Sequence, residues 1–397
     1  MRLRFNYRLN PSPGQRIALG RAFGCARMVF NDALHAHREA HSAGEPYLSD
    51  AELSRRLTAA KHTQERAWLS EVSAVVLQQA LADLNTAYRN FFSSASGKRK
   101  GRKVAPPRFR SRKDVRQSIR FTRNARFTVT PAGRLRLPKI GDVPLRWSRE
   151  LPSEPNSVTV TVDAAGRYHA SFVVEVPDEP RPRTGREVGI DLGLTDFAVL
   201  SDGTKVSAPR IARKAAAKLR RAQKELARRQ KGSANRRKSR RKVARCHARV
   251  ADTRRDWLHK LSTTLIRENQ AVYVEDLAVS GLARTRLARS VHDAGWSTFV
   301  DMLAYKADRH GRTFRKVDRW FPSTRACSTC GAIGEAKPLN IREWTCRCGA
   351  VHDRDVNAAI NILAAGRADS PTPVETMSDP GLPGQLSVKQ EPAGSAA

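Results

Sequence analysis

The amino-acid sequence predicts an α/β core carrying three widely spaced carboxylates, preceded by a β-rich module with helices inserted and interrupted late by a thiol-closed loop. Three observations predict it. In Glu187-Val-Gly-Ile-Asp-Leu-Gly-Leu-Thr-Asp-Phe-Ala-Val-Leu-Ser-Asp-Gly203, apolar Val188, Ile190 and Leu192 alternate with Gly189, Asp191 and Gly193. A strand there sends the apolar trio to one face and Asp191 to the other. The hydrophobic period changes from three or four residues before 95 to two after Ser118. Finally, Cys327-x-x-Cys330 and Cys346-x-Cys348 place two pairs of soft ligands a short loop apart, the pattern of a tetrahedral zinc site.

Taken in order, Leu3, Phe5, Tyr7 and Leu9 alternate in a first strand over 1–10, ended by Asn10-Pro-Ser-Pro13. Across 11–95 two amphipathic stripes predict a small helical bundle. One joins Leu19, Phe23, Ala26, Phe30 and Leu34; the other runs through Val72, Val76, Ala80, Leu84 and Phe91. Cys25 is a packing residue beside the first stripe. The basic linker at 96–113 invites phosphate contact. In the rest of 96–184, Val158, Val160 and Val162 turn at Asp163-Ala-Ala-Gly166 into Tyr168, Ala170, Phe172 and Val174, a hairpin of a small barrel that the first strand can join.

The α/β core occupies 185–320. Glycines on both sides of Asp191 are expected to leave room for a phosphate backbone. Within a helical hairpin at 208–267, Glu225 is the only acid between Ala208 and Ala251. Such a hairpin repels itself unless polyanion phosphates lie alongside, which makes Arg220, Arg221, Arg228, Arg229, Arg236 and Arg237 candidate nucleic-acid contacts. Ala271-Val-Tyr-Val-Glu-Asp-Leu277 reads as a buried strand delivering Glu275 at its end, followed by a helix at Trp296–Arg309 and a strand at Thr313–Val317. The thiol loop spans 321–350, with His352 a spare ligand not expected to bind. At 351–366, Asp353-Arg-Asp355 opens the last helix, and either acid alone serves equally well as a cap. The Pro/Ser/Gly-rich tail at 367–397 is expected to be disordered.

Composition narrows the function. The 397 residues hold 73 Lys and Arg against 38 Asp and Glu, a net charge of +35, the footprint of a polyanion-binding protein. No apolar run reaches the roughly 18 residues of a membrane span, and the first residues lack a signal-peptide apolar region, so a cytoplasmic location is expected. A strand Asp, a strand-end Glu and a helix-start Asp are the parts of a two-metal phosphodiesterase. In such an enzyme one Mg²⁺ activates the attacking water and the other stabilises the departing oxygen.

Four motifs, Gly189-Ile-Asp-Leu-Gly193, Val274-Glu-Asp-Leu277, Pro322-Ser-Thr-Arg-Ala-Cys-Ser-Thr-Cys-Gly331 and His352-Asp-Arg-Asp-Val-Asn-Ala-Ala-Ile-Asn-Ile362, resemble the TnpB family. Arg255-Asp-Trp-Leu-His-Lys-Leu-Ser262, Asp293-Ala-Gly-Trp296 and Leu137-Pro-Lys-Ile-Gly141 extend the likeness, which reaches to about Gly366. These are transposon-encoded, RNA-guided nucleases related to compact type V CRISPR effectors. The resemblance implies an RNase H-like RuvC nuclease domain with an inserted zinc ribbon, and an N-terminal wedge β-barrel with an inserted helical recognition module. It also implies that Asp191, Glu275 and Asp355 hold two Mg²⁺ ions, with Asp353 the fallback for the third. Cys327, Cys330, Cys346 and Cys348 take the zinc positions, and Arg325 is a candidate contact to the scissile phosphate. The implied partners of a monomeric protein are a guide RNA from the transposon right end and double-stranded target DNA beside a short transposon-adjacent motif. A DNA-joining transposase and a non-cleaving RNA-guided repressor are the competing readings.

Overall fold

Strand β1 (Arg2–Leu9) is followed by three helices before the chain returns to extended structure, in a computed structural model that describes residues 1–338 and 340–369. Helix α1 (Pro13–Ser42) starts at a capping box: Ser12 accepts from the Gln15 amide while Gln15 Oε1 accepts from the Ser12 amide. Helices α2 (Asp50–His62) and α3 (Ala74–Ala95) complete the bundle. Six strands then follow: β2 (Arg116–Thr122), β3 (Thr128–Val129), β4 (Arg134–Leu137), β5 (Gly141–Arg146), β6 (Ser157–Asp163) and β7 (Tyr168–Glu175).

Together with β1 these strands form one antiparallel sheet in the order β2-β6-β7-β1-β5-β4-β3, so the first strand does join the later ones and the helices are an insertion. The β6–β7 hairpin pairs Val162 with Tyr168 around the expected turn. Sheet and bundle share one apolar core, from Tyr7 and Phe172 to Leu19, Leu77 and Phe121. Cys25 is buried in it. The basic linker lies partly on this body: Arg110 stacks its guanidinium 3.7 Å from the Phe30 ring centroid and pairs with Asp83.

The second body begins with β8 (Glu187–Asp191), β9 (Asp196–Leu200) and β10 (Lys205–Ser207). The hairpin helices α4 (Ile211–Ala227) and α5 (Ala234–Glu268) precede β11 (Ala271–Glu275). After the short helices α6 (Val279–Leu282) and α7 (Ala288–Ala294) come α8 (Trp296–Arg309) and β12 (Thr313–Val317). The two-stranded ribbon β13 (Glu343–Thr345) and β14 (Val351–Asp353) leads into α9 (Arg354–Ala368).

The five-stranded sheet has the order β10-β9-β8-β11-β12, with β11 parallel to both β8 and β12. Strand parity divides its faces. Val188, Ile190, Val272 and Val274 pack against Leu258, Leu265, Phe299 and Leu303 of α5 and α8. Residues of opposite parity, such as Tyr273, face Ile362 of α9. Both faces are therefore covered, as near-continuous apolar strands require.

The glycines beside Asp191 do not hold space for a phosphate backbone, contrary to the expectation from sequence. A Cβ built on Gly189 falls 2.1 Å from the Ala359 carbonyl oxygen and 2.5 Å from the Leu363 amide nitrogen, so α9 already fills that space. A Cβ on Gly193 meets the Asp196 carbonyl oxygen at 2.7 Å, inside the β8–β9 turn. Gly189→Ala is accordingly expected to lower stability by at least about 1–3 kcal/mol, because backbone and not a flexible side chain must give way. A urea titration checks it; an unchanged midpoint contradicts the packing.

Candidate active site and thiol cluster

The strand register brings two of the predicted acids together. Tyr273 lies opposite Gly189 and Val274 opposite Ile190, so the next residues, Glu275 and Asp191, end adjacent parallel strands side by side. Both have the parity of the α9 face, and α9 runs antiparallel to β8, with Arg367 on Glu187 at the far end. The N-terminus of α9, with Asp355 in its first turn, therefore sits beside the Asp191 end. Burial first, then the Glu275 and Asp355 carboxylates, push Asp191 up to about 7. Glu275 is raised as well, by burial and then by Asp276.

Asp353 and Asp355 have different employment. Asp353 Oδ1 accepts from the Asp355 and Val356 amides at 3.0 Å each, the N-cap of α9, and its Oδ2 pairs with Lys205 at 2.5 Å. Asp355 faces the other acids, and Arg342 from β13's approach donates Nη1 to its Oδ2 at 2.8 Å. Arg342 also reaches Thr195 in the β8–β9 turn. A guanidinium thus neutralises part of the acid cluster, the position a metal cation would contest. Arg342 was not a sequence candidate, because nothing in a charged loop without period signals a contact to Asp355.

The four predicted thiols converge. The Sγ atoms of Cys327, Cys330, Cys346 and Cys348 all lie within 4.8 Å of one another, so these residues can hold a metal ion. Among the described residues no other set of His, Cys, Asp and Glu closes so tightly, the three carboxylates included. Burial favours the neutral Cys327 thiol, but the Cys330 and Thr329 amides and His352 outweigh it and hold the group at about 5. Despite the Ala332 amide, the surrounding thiols push Cys330 up to about 12. Thiols that cannot all ionise together are the donor set that a divalent cation relieves. His352 is not one of the four; its Nε2 stands 3.0 Å from Cys327 Sγ, placed to support a thiolate from outside.

Two asparagines that the sequence reading passed over tie this loop to α9. Asn357 and Asn361, one turn apart and both buried, donate to the Ala326 carbonyl at 2.8 Å, and Asn357 Oδ1 accepts the Ser328 amide at 2.9 Å. Arg325 is exposed and braces the same loop through the Gly334 carbonyl. On the hairpin, Arg220, Arg221, Arg228, Arg229 and Arg237 are exposed. Arg236 instead ties the hairpin's bend, donating to the Leu226 and Arg229 carbonyls. Glu225, the only acid between Ala208 and Ala251, joins the two helices through Ser239 and Lys242.

Comparison with known proteins adds to this geometry. Residues 171–286 match the OrfB_IS605 family model, described as "Probable transposase". Residues 296–362 match the Cas12f1-like TNB domain. A helix-turn-helix model matches 1–46, although this segment forms a strand and one continuous helix here. The chain is 47% identical over 399 residues to a Streptomyces pristinaespiralis protein named "Putative RNA-guided DNA endonuclease", covering 99% of this chain and 97% of that one. It is 33% identical to the Escherichia coli K12 protein InsQ, which carries the same description, over 92% of both chains. A solved Cas12f1-sgRNA-target DNA complex shares the fold, with a TM-score of 0.53 at 13% identity over 88% of this chain and 82% of that one.

Proposed function

We propose that this chain, which belongs to the TnpB family, is an RNA-guided DNA endonuclease that hydrolyses phosphodiester bonds of target DNA beside a short adjacent motif. The observation that carries the catalytic reading is the placement of Asp191 and Glu275 on neighbouring strand ends beneath the start of α9. In this reading the five-stranded domain is an RNase H-like RuvC nuclease, the thiol loop a zinc ribbon, and the seven-stranded sheet with its inserted helices the wedge and recognition modules. A guide RNA supplies sequence specificity by pairing, and double-stranded DNA is the substrate.

The acid cluster fits Mg²⁺. It offers hard oxygen donors, burial and then the repulsion of Glu275 and Asp355 push Asp191 up to about 7, and Arg342 already stands in as a cation. When bound, Mg²⁺ supplies Lewis-acid activation of water and of the leaving oxygen. The chain's residues do the rest. Asp191, Glu275 and Asp355 would hold the cations on strand and helix ends, and Arg342 meets the negative charge of Asp355. Exposed arginines of α4 and α5 hold backbone phosphates. Four thiolates suit Zn²⁺, which would keep the ribbon closed.

The test is cutting of a guide-matched duplex in Mg²⁺ by protein co-expressed with RNA from its element's right end. Mismatched duplex should remain intact. Joining of transposon ends without RNA would overturn the reading.

The raised Asp191 sets a pH dependence. A carboxyl whose folded value lies near 7 instead of 3.8 favours folding while protonated, and that contribution is lost as pH rises toward and through about 7. Mg²⁺ binds the deprotonated form, so 10 mM-scale Mg²⁺ should raise the melting temperature more at about pH 8 than at about pH 5.5. An equal or larger shift at the lower pH contradicts a carboxylate metal site.

A further inference from the structure

Trp320 is 84% exposed, the most exposed large apolar side chain among the described residues. Its neighbour Phe321 turns inward against the core of Tyr273, Val317 and Ile362. The exposed ring does not sit on a slack loop. Asp318 Oδ1 accepts the Trp320 amide at 2.7 Å, and the Asp318 carbonyl accepts the Phe321 amide at 3.1 Å. Beyond it, Asn361 holds the Ser323 carbonyl at 2.8 Å. The fold therefore fixes an indole in water at a cost in apolar exposure that it could avoid with any polar residue.

The ring's location gives it a use. Arg319, its other neighbour, pairs with Asp276, the residue after Glu275. Glu275, Asp276, Lys316 and Arg319 line one cleft of about 290 Å³. Val317 pairs with Glu275 across β11 and β12, so the loop that carries Trp320 leaves the sheet at the edge where Glu275 ends, with Arg319 next to Trp320 in the chain. A planar apolar ring next to cations beside a phosphodiesterase site matches an unpaired nucleotide, base on the ring and phosphate on the cations.

We propose that Trp320 is a stacking site for an unpaired base of the DNA strand entering the nuclease cleft, and so a positioning residue for cutting. The proposal rests on the nuclease reading above. Trp320→Ala should leave the melting temperature unchanged, since the ring packs against little, and should slow single-turnover cutting about tenfold, the usual scale for one lost stacking contact. Trp320→Phe should restore most of the rate. In parallel, a single-stranded oligonucleotide carrying 2-aminopurine, added to the full-length protein, should be quenched by the wild type and less so by Trp320→Ala. Equal cutting rates, equal quenching, or a loss that Phe does not repair would each overturn the proposal. Should the wild type cut nothing with any guide, the nuclease reading fails, and the quenching comparison still decides whether Trp320 stacks bases.

Discussion

Asp191→Ala and Glu275→Ala are expected to lose duplex cutting by a thousandfold or more while still binding guide RNA. Each removes an oxygen donor from the place where strand register puts the two carboxylates side by side. Losing a catalytic cation's hold is a matter of several kcal/mol of transition-state stabilisation, and about 4 kcal/mol is already a thousandfold. Neither change should destabilise the fold. Removing Asp191 takes away a carboxylate that is costly to bury, and then its repulsion with Glu275 and Asp355, so the metal-free variant should melt no lower than the wild type at about pH 8. The adjacent pair of acids gives a sharper discrimination. Asp355→Ala should abolish cutting, whereas Asp353→Ala should cost about 1 kcal/mol of helix capping and leave most of the rate. Quenched-flow or gel-based cutting rates, together with melting curves, separate the two. Normal cutting by Asp191→Ala would end the assignment, and a dead Asp353→Ala with an active Asp355→Ala would exchange the roles of the two.

The sequence made the sheet around this site legible because local patterning and tertiary burial agree there. Val188, Ile190, Val272 and Val274 share a face by parity alone, and the same parity puts Asp191 and Glu275 on the other. Helices α1, α3, α5 and α8 were equally readable from their stripes. Helix α2 was not, since only Leu53 and Leu57 are buried along it. What local pattern cannot carry is contact across sequence distance. Gly189 reads as room for a ligand until Ala359 and Leu363, some 170 residues on, are seen to occupy the space. Arg342 on Asp355, and Asn357 and Asn361 under the thiol loop, are of the same kind. Of the linker's basic residues, Arg110 is held by Asp83 and Phe30 within the protein, a partner that a run of like charge does not reveal. The tail expected to be disordered from 367 instead keeps Arg367 and Ala368 in α9, with Arg367 paired to Glu187, while 370–397 lie outside the described residues.

In the zinc-ribbon reading, Cys327→Ser should release the metal and, with it, the order of Phe321–Cys330 and Glu343–Asp353. Zinc closing four thiolates contributes about 10–16 kcal/mol of apparent binding energy in small zinc-finger peptides, far more than the short β13–β14 pairing can supply. Cys327 is the ligand to change because it is buried and sits at the junction with α9, where the neighbouring Ser328 amide and Ala326 carbonyl meet Asn357 and Asn361. Loosening that junction also unseats the Ser323 carbonyl that Asn361 holds just beyond Trp320, so cutting should fall although no carboxylate has changed. The antiparallel sheet and its bundle have a separate core and should keep their protection. His352→Ala should be milder. It removes a hydrogen bond to Cys327 Sγ and not a ligand, and such outer partners typically change metal affinity by about 10- to 100-fold. Metal analysis of the purified chain and hydrogen exchange resolved by segment read both effects. A wild-type chain that carries no zinc, with 321–330 and 343–353 exchanging at the same rate as in Cys327→Ser, would show that the four thiols converge for packing and hold nothing.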